Sequence, residues 1–170
     1  MQAGARREAI LEKLKRADEP ISAAALAADF QVSRQIIVGD VALLRAAGEQ
    51  ISATPRGYVM HPENAGVQHR IACCHSTAGM RDELNSIVDQ GCTVLDVIVE
   101  HPVYGQLTGA LQLKSRFDVE QFLMRCSQAE AKPLSDLTEG IHLHTLLCPD
   151  EAAYARVCRA LRERGILLES

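Results

Sequence analysis

The sequence is poor in aromatic residues, with three Phe, three Tyr and no Trp among 170 residues. Proteins that bind single-stranded nucleic acid stack the bases on aromatic side chains, so this class is disfavoured. No stretch approaches the roughly 18 consecutive apolar residues of a membrane span. The charged N-terminal segment also lacks the apolar core of a signal peptide. We therefore expect a cytoplasmic protein that does not enter the membrane.

Histidine is the residue whose placement indicates a function. His142-Leu143-His144 places two imidazoles on one face if the segment is a strand. Gly140-Ile141 before the pair and Pro149 after it favour a strand. Two further candidates follow an earlier apolar run, and we predict one divalent metal bound by His75, Glu83, His142 and His144. The alternative is a set of unrelated surface or packing residues, because one such histidine pair is a weak signal.

The six cysteines lack the CxxC spacing of common zinc and redox motifs. Most of them lie in apolar segments, so we interpret them as small buried side chains in a reducing compartment. Cys73 has a second interpretation, because it shares a strand face with His75. It is a candidate for a softer fifth ligand.

The net charge of −4 hides an asymmetry between the two parts of the chain. Residues 1–60 carry eight Lys and Arg against seven Asp and Glu, whereas residues 61–170 carry ten against fifteen. A near-neutral module with local basic faces binds DNA as a dimer or with steep salt dependence. We predict a DNA-binding domain over residues 1–61, a linker over 62–69 and a second domain over 70–170.

Three short helices and a hairpin are predicted in the first domain. The helices are expected over 6–17, 23–30 and 34–47, with Ser22 and Ser33 as N-caps of the second and third. Two short strands follow, with Arg56 at the tip of the turn between them. This order is typical of a winged helix-turn-helix. The apolar face of the third helix is expected to contain Ile36, Ile37, Val41 and Leu44.

The first domain resembles the winged helix at the start of many bacterial transcription regulators. The resemblance is carried by residues 20–22, 26–27, 32–35, 44–45, 48, 51 and 57–58. It implies that the third helix enters the major groove of double-stranded operator DNA. The implied DNA contacts are Ser33, Arg34, Gln35, Arg45 and Arg56. The alternative is a winged helix that binds another protein, on which these residues are ordinary solvated side chains.

The second domain is predicted to follow the order β-α-β-β-α-β-α-β. Helices then lie on one face of a mostly antiparallel sheet, giving a two-layer α+β fold. The stretch 71–148 resembles the 3H domain, a ligand-binding domain named for its histidines. The residues that carry the resemblance are His75, Glu83-Leu84, 87–91, 96–105 and 133–145.

Together the two domains resemble the NiaR-type repressors of niacin uptake and NAD biosynthesis genes. The resemblance implies an HPr-like sandwich fold, a transition metal on the four predicted ligands, and a homodimer that reads a palindromic operator. It also implies nicotinic acid as co-repressor. Imidazole-rich sites do not choose strongly among Zn, Ni and Fe(II). The protein is then expected not to be an enzyme.

Two residues are candidates for contact with the effector. His101 is expected either to contact the effector or to cap its own turn, and Arg116 either to pair with a carboxylate or to be solvated.

A metal-dependent hydrolase would use the same cluster, with Glu100 as the nearest candidate general base. A histidine phosphocarrier is disfavoured, because no histidine lies clearly at a helix N-terminus.

Overall fold

The computed structural model of the protein describes residues 2–60, 66–129 and 132–169. The chain divides into two compact units, Met1–Asn64 and Ala65–Ser170, each with its own hydrophobic core. Among the described residues, no helix combines the length and apolar character needed to cross a bilayer.

The linker was predicted over residues 62–69, and the structure differs from this prediction at the C-terminal end of that range. Residues 62–65 lie outside the described residues, but the strand that opens the second unit already begins at Val67. Val67 pairs with Cys148 in an antiparallel ladder, so residues 67–69 are strand and not linker. The second unit therefore begins before residue 70, the predicted start, because its first strand already pairs at Val67.

The first unit contains three helices and a two-stranded wing. The helices are α1 (Ala3–Lys15), α2 (Ala23–Phe30) and α3 (Arg34–Ala46), and the strands are β1 (Ile51–Thr54) and β2 (Gly57–Met60). Ser22 Oγ accepts a hydrogen bond from Ala25 N, and Ser33 Oγ accepts one from Ile36 N, so both predicted N-caps are present. The winged helix-turn-helix prediction is confirmed.

The core of the first unit is formed by apolar side chains from all three helices. Ile37, Val41 and Leu44 of α3 are buried as predicted. Ile36 is 42% exposed, so its predicted place in the core was wrong. The first turn of α3 is exposed at Arg34, Gln35 and Ile36, and burial begins with Ile37.

The second unit is a four-stranded antiparallel sheet with helices packed on one face. Its strands are β3 (Val67–Cys74), β4 (Thr93–His101), β5 (Gly105–Leu113) and β6 (Ile141–Cys148), in the order β3-β6-β4-β5. The helices α4 (Met80–Val88), α5 (Arg116–Gln128) and α6 (Glu151–Glu163) contribute to a single core against this sheet. The predicted two-layer α+β class is confirmed.

The ladder between β4 and β6 contains a bulge at Asp96. Val94 pairs with Leu146 whereas Ile98 pairs with Leu143, so β4 has one residue more than β6 over this stretch. The predicted final strand, residues 166–168, is reduced to a bridge between Leu167 and Cys73. That bridge lies on the edge of β3 and ties the segment to the strand that precedes His75.

Two of the cysteines differ from the interpretation as isolated buried thiols. Cys92 and Cys148 are both buried and form a disulfide between neighbouring strands, with 4.2 Å between their Cα atoms. The other four are free, and Cys73 is fully buried among them. The two cysteines are 56 residues apart in sequence, and this spacing does not predict that they pair. They meet because of the register between β4 and β6, which the sequence does not show.

Candidate metal centre

Two adjacent strands deliver the histidines to the helix-covered face of the sheet. His142 and His144 lie on β6 and are each 3% exposed, as the period of two in a strand predicts for residues that share a buried face. In the neighbouring strand β3, Cys73 pairs with His142 and Ile71 pairs with His144. His75 follows directly after the end of β3, and its side chain is 7% exposed.

Glu83 lies in the first turn of α4 and is the point on which the three imidazoles converge. Its carboxylate is 1% exposed. The Nε2 atom of His75 is 2.7 Å from Glu83 Oε2, and that of His142 is 3.0 Å from Oε1. The Nε2 atom of His144 is 3.4 Å from Oε2. The structure thus brings all four predicted ligands together.

Each imidazole is held by its other nitrogen. The Nδ1 atoms donate to backbone carbonyl oxygens, from His75 to Ser76, from His142 to Gly140 and from His144 to Asp96, at 2.6, 2.9 and 2.5 Å. A carbonyl oxygen only accepts, so Nδ1 carries a proton in every ring. In a neutral ring, Nε2 then presents its lone pair to the centre, which is the arrangement that supports metal-bound histidines.

The buried charge of Glu83 is balanced either by protons on the histidines or by a bound cation. Burial by itself would raise the pKa of Glu83, but the charge of His144 and the hydrogen bonds with His142 and His75 hold it well below its ordinary value. Burial would lower the pKa of His75 and of His144, and their contacts with Glu83 raise both. Without a shared cation, neutral rings would direct their lone pairs at a buried carboxylate.

The donor set fits a divalent transition metal. Within the described part of the chain, His144 Nε2 is buried and has no hydrogen-bond partner, although it faces the cluster. Leaving such an atom unsatisfied costs about 1–3 kcal/mol. Three imidazole nitrogens and a carboxylate are ligands that Zn, Ni and Fe(II) accept. His75, Glu83, His142 and His144 would hold the ion.

Cys73 is a further donor at the cluster. Its Sγ, a Glu83 oxygen and a His142 nitrogen all lie within 4.8 Å of one another. Burial, and then the neighbouring Glu83 carboxylate, raise the pKa of this thiol. The mutually closest donors in the described residues therefore include a sulfur atom that the four-ligand prediction did not contain.

Two glycines fit closely around His75. A Cβ atom on Gly140 would lie 2.3 Å from the carbonyl oxygen of His75, and Gly140 has a φ of +93°. A Cβ atom on Gly79 would lie 3.0–3.2 Å from the side chain of His75. A side chain at position 140 would therefore force the backbone of this histidine to move, whereas one at position 79 would press on its side chain by a few tenths of an ångström.

Asp96 is a supporting residue that the sequence prediction missed. Its carbonyl oxygen accepts the Nδ1 hydrogen of His144, and its Oδ1 accepts from Thr145 N at 2.8 Å. The residue lies in the stretch between Val94 and Ile98 where β4 has one residue more than β6. The sequence contained a signal for it, since an acidic residue interrupts an otherwise β-branched apolar run.

Replacing Asp96 by alanine is expected to weaken metal binding without removing a ligand. The Thr145 amide, on a residue 5% exposed, would lose its acceptor, which costs about 1–3 kcal/mol of folding free energy. Alanine keeps the backbone carbonyl oxygen that accepts from His144 Nδ1, but it loses the side-chain bond to Thr145 that fixes this backbone against β6. We therefore expect zinc affinity to fall about 10–100-fold, as for other residues that orient ligands. Asp96→Asn keeps an oxygen at this position and is the matched control. Chemical denaturation and zinc titration measure both effects, and unchanged zinc affinity in Asp96→Ala would contradict the role.

His101 and Arg116, the predicted effector residues, do not join the cluster. His101 Nδ1 accepts hydrogen bonds from Val103 N and Tyr104 N, so the ring caps the hairpin turn. Arg116 makes a bidentate pair with Asp89 at 2.6 and 2.7 Å. In the described part of the chain neither residue contacts the four ligands. Their contact with an effector stays a prediction.

The predicted DNA-binding residues lie on the first turn of α3, at its end and in the wing. Ser33, Arg34 and Gln35 are exposed. Arg45 is exposed as well, and its Nε donates to the Ile51 carbonyl oxygen at 2.7 Å. Arg56, in the turn between β1 and β2, forms an ion pair with Glu19. A phosphate contact by Arg56 would have to replace that pair.

The two units define a helix-turn-helix protein with a second, α+β unit that contains the histidine cluster. Residues 6–59 match an HTH domain, and residues 68–170 match the 3H domain. The chain is 42% identical over 164 residues to the probable transcription repressor NiaR of Thermotoga maritima, covering 96% of this chain and 94% of that protein. It is 44% identical over 169 residues to the transcription repressor NadR of Bacillus subtilis, covering 96% and 93%. The chain therefore belongs to the NiaR/NadR family of 3H-domain transcription repressors.

Proposed function

We propose that the protein is a metal-containing repressor that binds operator DNA more tightly when nicotinic acid is present. The observation that carries the proposal is the convergence of three Nδ1-anchored imidazoles on one buried carboxylate, in a chain whose first unit is a winged helix. A site of this kind has no use in DNA contact itself. It supports a sensing role for the second unit.

The chemistry of the cluster suits an anionic pyridine as effector. Four protein ligands leave a position open in five- or six-coordinate geometry, and a pyridine nitrogen is a donor of matching hardness. When bound, the metal supplies a Lewis-acidic position for that nitrogen, and the carboxylate is the group that distinguishes nicotinate from the neutral amide of nicotinamide. In this proposal the effector binds to the metal, so effector binding requires that the metal is present.

We also propose that the protein acts as a homodimer on a palindromic operator. Twofold symmetry is the commonest form of assembly and places two copies of α3 in successive major grooves, about 34 Å apart. Effector binding would then alter DNA affinity by biasing the arrangement of the two winged helices.

The test is a DNA-binding titration on a promoter fragment of a niacin-uptake or NAD-biosynthesis gene of the source organism. We expect nicotinic acid to tighten binding about 5–150-fold, the range of ordinary coupling energies, and nicotinamide to have no effect. The salt concentration is held constant, because it changes affinity strongly. A parallel series after removal of metal by a chelator should lose the response to nicotinic acid. DNA binding that ignores nicotinic acid in the metal-loaded protein would contradict the proposal.

A metal-dependent hydrolase is the second candidate, and the structure favours it less. Glu83 is the carboxylate in contact with the histidines, and as a ligand it is not free to act as a general base. Glu100, the alternative base, is exposed and pairs with Gln106 next to the hairpin turn at His101. The close similarity to named repressors supports regulation over catalysis.

A further inference from the structure

We propose that Cys73 is a fifth protein ligand, so that the metal is bound by one thiolate, one carboxylate and three imidazoles. This inference rests on the metal centre proposed above. Cys73 is a free cysteine with no exposed surface, on the strand β3 that leads directly to His75. It is placed opposite His142 in the antiparallel ladder, and side chains of such pairs stand side by side.

The geometry of the three nearest donors fits a shared ion. The Sγ of Cys73 lies within 4.8 Å of ligand atoms of both Glu83 and His142. Metal–sulfur bonds of about 2.3 Å and metal–nitrogen bonds of about 2.0–2.1 Å can span such separations after small side-chain rotations. The unpartnered Nε2 of His144 faces the same cluster from the neighbouring register position.

Charge balance is an independent reason for a thiolate. A divalent cation with Glu83 and three neutral imidazoles leaves one uncompensated positive charge, among side chains exposed by 7% or less. An unpaired buried charge is costly. As the sulfur–metal bond forms, the thiol releases its proton to solvent, and the site becomes neutral. A sulfur ligand also makes the site prefer softer metals such as zinc over manganese and magnesium.

The test uses cobalt as a spectroscopic probe on the full chain. Thiolate bound to Co(II) gives a ligand-to-metal charge-transfer band in the near ultraviolet, which nitrogen and oxygen ligands do not give. We expect this band in the wild-type protein and its loss in Cys73→Ser, while the visible absorption of bound cobalt remains. Cys74→Ser is the matched control, because the adjacent strand residue points to the opposite face and should leave the band intact.

A second measurement needs no variant and decides the matter if Cys73→Ser does not fold. X-ray absorption of the zinc-loaded wild-type protein should show a sulfur neighbour at about 2.3 Å beside the nitrogen and oxygen shell. Cobalt or zinc bound without any sulfur signal would overturn the role of Cys73 and leave the four-ligand centre standing. A charge-transfer band that persists in Cys73→Ser would also overturn it. Failure to bind either metal would overturn the metal centre together with this inference.

Discussion

Glu83→Gln is expected to abolish stabilisation of the protein by metal. Glu83 is the carboxylate on which all three histidines converge, so the amide, which keeps one acceptor oxygen but no charge, removes the anionic ligand from the centre. A metal present at 100 times its dissociation constant stabilises the native wild-type protein by about 2.7 kcal/mol. We expect the affinity of the variant to fall by at least about 100-fold. At the same zinc concentration the variant then gains at most about 0.4 kcal/mol, so thermal unfolding with and without zinc shows a clear shift for the wild type and almost none for Glu83→Gln.

The control for this experiment is Glu120→Gln. Glu120 carries the same side chain on a neighbouring helix, where it forms an exposed ion pair with Arg81. Exposed pairs contribute about 0–1 kcal/mol, so the metal-free variant should unfold close to the wild type and keep its full response to zinc. Equal stabilisation of Glu83→Gln and wild type by zinc would show that the cluster is not the metal centre.

Arg34→Ala is expected to produce the largest loss of DNA affinity among the predicted DNA contacts. Arg34 is exposed at the first position of α3, where a recognition helix presents its side chains to base edges. If the guanidinium reads a guanine, its loss costs about 1–3 kcal/mol and relaxes specificity at one base pair. If it contacts a phosphate, affinity falls uniformly and the salt slope decreases by about one.

The measurement begins with an operator selected by the wild-type protein from a pool of random duplexes. Binding of that operator and of its single-base variants is then compared for wild type, Arg34→Ala and Arg16→Ala. Arg16 is an exposed arginine of the same unit, at the end of α1 and outside α3 and the wing, so its loss should change little. Wild-type affinity and specificity in Arg34→Ala would contradict a major-groove role for this turn of α3.

The elements that the sequence predicts well are those with a local signal. Ser22 and Ser33 are helix N-caps because their hydroxyls reach an amide three residues on, a contact encoded within one turn. The burial of His142 and His144 on one face follows from strand periodicity. The convergence on Glu83 was a prediction about His75, eight positions away, and about two histidines of β6 that are 59 positions or more away. It was made from the 3H resemblance as well as from spacing, and the structure brings these residues together.

The features that escaped prediction depend on register and on irregular backbone. Asp96, which anchors His144, lies in the bulged stretch of β4, and no residue type signals a bulge reliably. The pairing of Cys92 with Cys148 and the placement of Cys73 opposite His142 both depend on which residues of two distant strands face each other. Arg56 and Arg116 were assigned to external partners, but each has a carboxylate of the chain itself within reach.

The close fit of Gly79 and Gly140 around His75 has an evolutionary consequence. Neither glycine offers an atom to a metal, yet a methyl group at position 140 would meet the backbone of a ligand. We expect variation at position 140 to be restricted for as long as His75 keeps this place, and variation at position 79 to be restricted less. Inheritance of the proposed metal centre would then depend on a residue without a side chain as well as on the residues that supply donor atoms.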